Sequence, residues 1–259
     1  MKSAMSSKVF CFIAAAALLA SIGTASARGP VTLTDGQLDK VTGGAGNPQF
    51  PQSSAAFANG SDGPGGVNSA AESRPVRSLL EIRQHHVLIQ KWDLSCGAAA
   101  LGTLLDDQFG AHVTEKEIAD ALIRRTEYVQ HPQLIQLREG FSLLDLKRFV
   151  NAYGGGNLYK GEGLGQLEFN DLIERAPVMV PINALGYNHY VIFRGIMGDR
   201  VLLADPAWGN RTMTIDEFQR MWLDYGKPMG HVGFAVEPAD GREAANRMQP
   251  KPSDFVTFN

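Results

Sequence analysis

Gln90–Leu101 reads QKWDLSCGAAAL, and from Cys96 it runs on as CGAAALGTLLDDQF to Phe109, the stretch whose reading decides the fold. Its apolar residues predict a largely buried helix over Cys96–Phe109, ended by Gly110. Thr114 and Glu117 form a capping box ahead of Ile118, Ala119 and Leu122. Ser142 and Asp145 repeat that pattern ahead of Leu146, Phe149 and Val150, with Gly154 as the stop. Phe169–Ala176, closed before Pro177, predicts one more short helix. From there strands dominate: Val178–Ile182, Tyr190–Ile196, a turn at Gly198-Asp199 into Val201–Ala204, a short Met213–Ile215, and Gly233–Val236. Between the last two, Asp216–Trp222 reads as a helix capped by Asp216. Helices first and strands later predict an α+β domain, N-terminal helices packed on an antiparallel sheet.

Outward from this domain, assigned to residues 79–238, the chain changes character. Residues 45–78 are rich in Gly, Ser, Ala, Asn and Pro, bury almost nothing, and read as a flexible linker. Residues 239–259 read as a polar, loose C-terminal tail with two prolines. Residues 1–27 have the pattern of a signal peptide: Lys2 and Lys8, an apolar run over Val9–Ala20, then Ala25-Ser26-Ala27 as a small-x-small exit. That run is too short to span a bilayer comfortably, so a periplasmic or secreted bacterial protein is expected. Its removal takes Cys11 with it and leaves Cys96 as the one thiol, unable to form a disulfide within the chain. A formal charge of −3 with mixed signs offers no basic field for nucleic acid or anionic lipid.

Chemistry therefore gathers on Cys96. A helix starting at or just after it turns the positive end of the macrodipole toward the sulfur, which favours the thiolate. Gly97 and Ala98 leave room for a substrate backbone. A thiolate nucleophile needs a base, and among six histidines His189 opens an apolar strand, NHYVIFRGI, where a polar head is otherwise unwelcome. Asp205, in VLLADPAWGN, ends the next strand, so a tight turn makes it a neighbour of His189 and able to fix its tautomer. Gln90 could donate to an oxyanion. His85-His86 has no spaced ligand set around it, and Gly154-Gly155-Gly156 lacks the Lys-Ser or Lys-Thr of a phosphate loop, so neither a metal, a cofactor nor ATP is expected.

Gln90, Asp93, Cys96 and Gly97, followed by NHYVIFRGI and ADPAWG, resemble the three blocks of peptidase family C39 over roughly Ile82–Val236. The resemblance implies a papain-like fold and cleavage of double-glycine leaders. It assigns Cys96 as nucleophile, His189 as base, Asp205 as its orienting partner and Gln90 as oxyanion donor. The family often has an acid before the cysteine where this chain has Ser95. With no transporter region following, the chain resembles stand-alone, exported relatives found beside functional-amyloid export systems. Residues 28–44 hold a second motif: LTDGQLDKVTGG, Leu33–Gly44, itself resembles a double-glycine leader. Leu33, Leu38 and Val41 would form an apolar helical face for a groove, Gln37 stands where such leaders often carry Glu, and Gly43-Gly44 would thread a narrow active site. Two functions follow: an endopeptidase that cuts after paired glycines, its own included, or a non-catalytic module that binds leaders or amyloid subunits during export.

Overall fold

The computed structural model describes residues 29–43, 78–244 and 246–254, and of Leu79 the backbone alone. The expected signal peptide, Gly44, the linker up to residue 77 and the end of the tail lie outside the described residues.

The domain is a helical half laid on an antiparallel sheet. Its helices are α1 (Asp35–Leu38), α2 (Leu79–Gln84), α3 (Cys96–Thr103), α4 (Glu115–Ile123), α5 (Thr126–Gln130), α6 (Leu134–Leu137), α7 (Leu143–Ala152), α8 (Phe169–Arg175) and α9 (Ile215–Met221). The strands are β1 (Val31–Thr32), β2 (Thr42–Gly43), β3 (Phe141–Ser142), β4 (Tyr159–Gly165), β5 (Val178–Ala184), β6 (Tyr187–Met197), β7 (Arg200–Asp205), β8 (Gly209–Thr214) and β9 (Gly233–Pro238). Seven of them form one sheet in the order β1-β4-β9-β5-β6-β7-β8, and β2 pairs with β3 apart from it.

Local chemistry explains the helix starts. Thr114 and Ser142 each accept the N–H three residues on and receive a side chain back, so both expected capping boxes are present. Every residue of α3 is buried, as its composition requires. Its continuation over Leu104–Gln108 widens into a π-turn, which Gly110, at φ 71°, brings to an end. The cap of α9 lies two residues earlier than expected: Thr214, not Asp216, accepts from the Glu217 N–H at 3.2 Å.

Sheet pairing corrects the reading elsewhere. Strand β4 (YKGEGLG), with three glycines, is not among the expected strands, yet Tyr159–Leu164 pair with β9. Strand β8 extends beyond the short Met213–Ile215 segment because Asn210, Arg211 and Thr212 pair with β7 despite their polarity. The tail is also tied down more firmly than its composition suggests. Met248 is fully buried, its N–H donates to Gln108 Oε1, and its carbonyl accepts from Arg194 Nε.

Alternation along β6 divides the core. Tyr190 and Ile192 face the cluster built by α3, α4 and α7, while Val191 and Phe193 face a second cluster with Phe218 and Trp222 of the α9 side. Burial on both faces makes β6 a rigid central strand, and it carries His189 near its start.

Candidate active site

Cys96 is the first residue of α3, and the preceding Ser95 does not turn its hydroxyl back onto the helix. That hydroxyl lies 2.5 Å from Glu115 Oε1 and 2.7 Å from the Trp92 carbonyl. Glu115, itself buried, also accepts from the Lys91 N–H at 2.9 Å. One carboxylate thus pins the segment leading into Cys96 and leaves the first turn of α3 without a side-chain cap at the sulfur.

His189 and Asp205 are brought together as their strands predict. His189 Nε2 and Asp205 Oδ1 are 2.7 Å apart, both side chains being at most 1% exposed. Burial alone would push the imidazolium pKa down; the charge and hydrogen bond of Asp205, then Cys96, overcome this and raise it to about 10. The other ring nitrogen, Nδ1, is buried and has no hydrogen-bond partner among the described residues. Desolvation pushes the Asp205 carboxyl up, but His189, Arg211 and the Ala207 N–H outweigh it and hold Asp205 below its ordinary value. Arg211 Nη1 lies 3.1 Å from Asp205 Oδ2, and the Ala207 N–H donates to Oδ1 at 2.9 Å. With its nearest nitrogen held by an anchored acid, His189 presents the free one for proton transfer.

Gln90 is fixed on the same side of the domain, its N–H donating to the Pro206 carbonyl at 2.8 Å. Its side-chain amide donates to the Trp92 carbonyl at 3.2 Å, and its Oε1 is buried without a partner among the described residues.

The cleft is filled by the chain's own N-terminal segment. Leu33, Leu38 and Val41 are 2%, 0% and 0% exposed, packed into the cluster of the helical half. Their backbone differs from the expected helical face. Only Asp35–Leu38 is helical, Leu33 follows the two-residue strand β1, and Val41 precedes β2. Thr34 caps the short helix with Gln37, whose Oε1 accepts from the Thr34 N–H at 2.9 Å, so the amide fills the place of a carboxylate in the box. Extended flanks let the segment borrow hydrogen bonds that a helix would keep to itself. The Leu33 N–H donates to the Gly163 carbonyl, and the Val41 carbonyl accepts from the Leu143 N–H at 2.9 Å and the Tyr190 hydroxyl at 2.7 Å. Lys147 Nζ pairs with Asp35 at 2.7 Å and Arg138 with Asp39 at 3.0 Å.

At the end of this path the Cys96 thiol donates to the Gly43 carbonyl at 3.3 Å. A Cβ on Gly43 would stand 2.5 Å from Tyr190 Cδ2, and one on Gly140 would stand 2.3 Å from the Gly43 oxygen. The strait between the Tyr190 ring and the Gly140 backbone therefore passes glycine alone. Tyr190, Gly140, Glu115 and Arg211 escape a reading of the sequence. Only the aromatic next to His189 gives any local sign of its role.

Comparison with known proteins identifies the family. The family model described as peptidase C39 family matches residues 84–226. A relative in Pseudomonas aeruginosa named probable functional amyloid protease FapD is 32% identical over 191 residues, covering 68% of this chain and 78% of its own. The protein of the same name in Pseudomonas fluorescens is 30% identical over 193 residues, covering 74% and 76%. Among solved structures, a double glycine motif protease from an AMS/PCAT transporter, in complex with the leader peptide, aligns at 21% identity and TM-score 0.38. That alignment covers 59% of this chain and 90% of the other.

Proposed function

The chain belongs to the peptidase C39 family and is a cysteine peptidase, and from that premise we propose that it cuts after paired glycines, its own Gly43-Gly44 first. The observation that carries this is the seated segment 29–43, with the Gly43 carbonyl 3.3 Å from the Cys96 sulfur. A double-glycine cut needs a passage that admits no side chain, and the walls at Tyr190 and Gly140 supply that reason.

The chemistry is acyl transfer. The Cys96 thiolate attacks the Gly44 carbonyl carbon, and negative charge develops on its oxygen, where Gln90 and a backbone N–H donate. As the C–N bond breaks, His189 gives its proton from Nδ1 to the Ala45 nitrogen, leaving a thioester on Cys96. Water then attacks the thioester, His189 takes one of its protons, and the C–S bond breaks to release the Gly44 carboxyl group, whose proton passes to solvent, so that the thiolate–imidazolium pair is restored. Asp205 stabilises the imidazolium before its proton is given and after one is regained. Further substrates are exported peptides or amyloid subunits with a similar leader, in keeping with the names of the relatives. The signal-peptide pattern assigns this work to the periplasm or beyond.

The test is intact-mass analysis of the wild-type chain and of Cys96→Ala after export. The expected result is a wild-type chain beginning at Ala45 and a variant that retains residues 28–44. A wild-type chain that still begins near Arg28 overturns self-processing, and the same N-terminus for the two chains is what a non-catalytic binding module would give. A cut after Gly43 would correct the register.

A further inference from the structure

Strand β4 contains the repeat Gly161-Glu162-Gly163-Leu164-Gly165. Glycine inside a paired strand weakens it and signals close approach by something else. None of the three has a left-handed backbone, so conformation does not require glycine here. What approaches differs from one to the next. A Cβ on Gly161 would meet Phe234 at 2.7 Å and the Lys147 backbone at 3.3 Å, both parts of the domain's own core. On Gly165 it would meet Leu33 at 2.5 Å but also the Met229 carbonyl at 2.9 Å. On Gly163 all three nearest atoms belong to Leu38, at 2.1, 3.1 and 3.2 Å.

Gly163 is thus a hole in the sheet whose content is a leader side chain. Leu38 is fully buried, so it cannot swing aside to admit a methyl group. Resting on the leader reading above, we propose that Gly163 is a specificity-determining residue of this peptidase, selecting leaders with leucine five positions before the first glycine of the pair. Gly165 supports the same selection for Leu33, although the domain's own backbone also needs glycine there. The substrate class is therefore narrower than any chain with paired glycines. It is a segment that lays one leucine into the β4 gap and pairs an extended residue with β4, as the Leu33 N–H does with the Gly163 carbonyl at 2.8 Å.

The experiment is a double-mutant cycle on the full chain. Docking of the leader is read as amide hydrogen exchange at Leu33, Leu38 and Val41 in a Cys96→Ala background, where no cut intervenes, and processing is read by mass in the active chain. Gly163→Ala is expected to lower leader protection about tenfold or more when Leu38 is present, and less than about twofold in the Leu38→Ala background. Thermal melting should fall when Leu38 is present and much less in the Leu38→Ala background, because the three atoms nearest the added methyl all belong to Leu38. Unchanged protection in Gly163→Ala, or an equal loss in both backgrounds, overturns the inference. A leader that is protected and responds to Gly163→Ala, in a wild-type chain that is never cut, supports this inference while refuting self-processing.

Discussion

Replacing Leu38 by alanine tests how strongly the leader is held. Leu38 is 0% exposed, seated against β4 and the helical half. In a rigid core, Leu→Ala costs about 2–5 kcal/mol, the upper values arising where the cavity cannot collapse. A docked segment of chain can shift to close part of the gap, so the lower end applies, about 2–3 kcal/mol. That corresponds to about 30- to 150-fold less docked leader relative to free. The assay is hydrogen exchange in Cys96→Ala protein, because the protection factor reports docking free energy even when the docked state remains the majority. Lys40→Ala is the control, since Lys40 lies in the same segment and is exposed; less than about twofold is expected for it. The reasoning fails if Leu38→Ala leaves protection at Val41 unchanged, or if Lys40→Ala costs as much.

The remaining predictions concern the walls and the charges. Tyr190→Phe removes one of two donors to the Val41 carbonyl and should weaken docking by about 1 kcal/mol, roughly fivefold in the same exchange assay, with the Leu143 bond retained. Glu115→Ala leaves the Lys91 N–H and the Ser95 hydroxyl without their shared acceptor; a loss of about 1–3 kcal/mol in chemical denaturation and slower processing are expected. His189 has a folded pKa raised from 6.5 to about 10, so its contribution to stability is full below pH 6.5 and is lost as pH rises through about 10. Melting temperature of the wild type should therefore fall over that window relative to its maximum, and His189→Gln should flatten the difference. The lowered Asp205 has the opposite sign: its contribution is present above its ordinary value near 3.8 and is lost as pH falls below it.

Much of the site is written in local patterns. The buried run after Cys96, the capping boxes at Thr114 and Ser142, and two strands joined by a tight turn all follow from short-range periodicity and side-chain chemistry. These are enough to bring His189 and Asp205 to 2.7 Å, because antiparallel neighbours with a short connection have little freedom of register. Leu33, Leu38 and Val41, expected as the apolar positions of the N-terminal segment, are all buried although the backbone is not the expected helix.

Decided only by tertiary contact were the features in which one segment answers another far away in sequence. Strand β4 has few side chains to mark a strand, and its glycines make sense only in the fold, with Phe234 against Gly161, Leu38 against Gly163 and Leu33 against Gly165. The leader's helical face gives way to one short turn between extended flanks, because β4 and β3 offer backbone partners that an isolated helix would not use. Arg211 and Glu115 reach the site from polar positions on a strand and a helix start, where composition alone marks them as surface. The sequence by itself determined the reactive groups and the segment suited to meet them. Folding decided that the two meet in one chain, as burial of three apolar anchors draws Gly43 through a gap too narrow for a side chain and against Cys96.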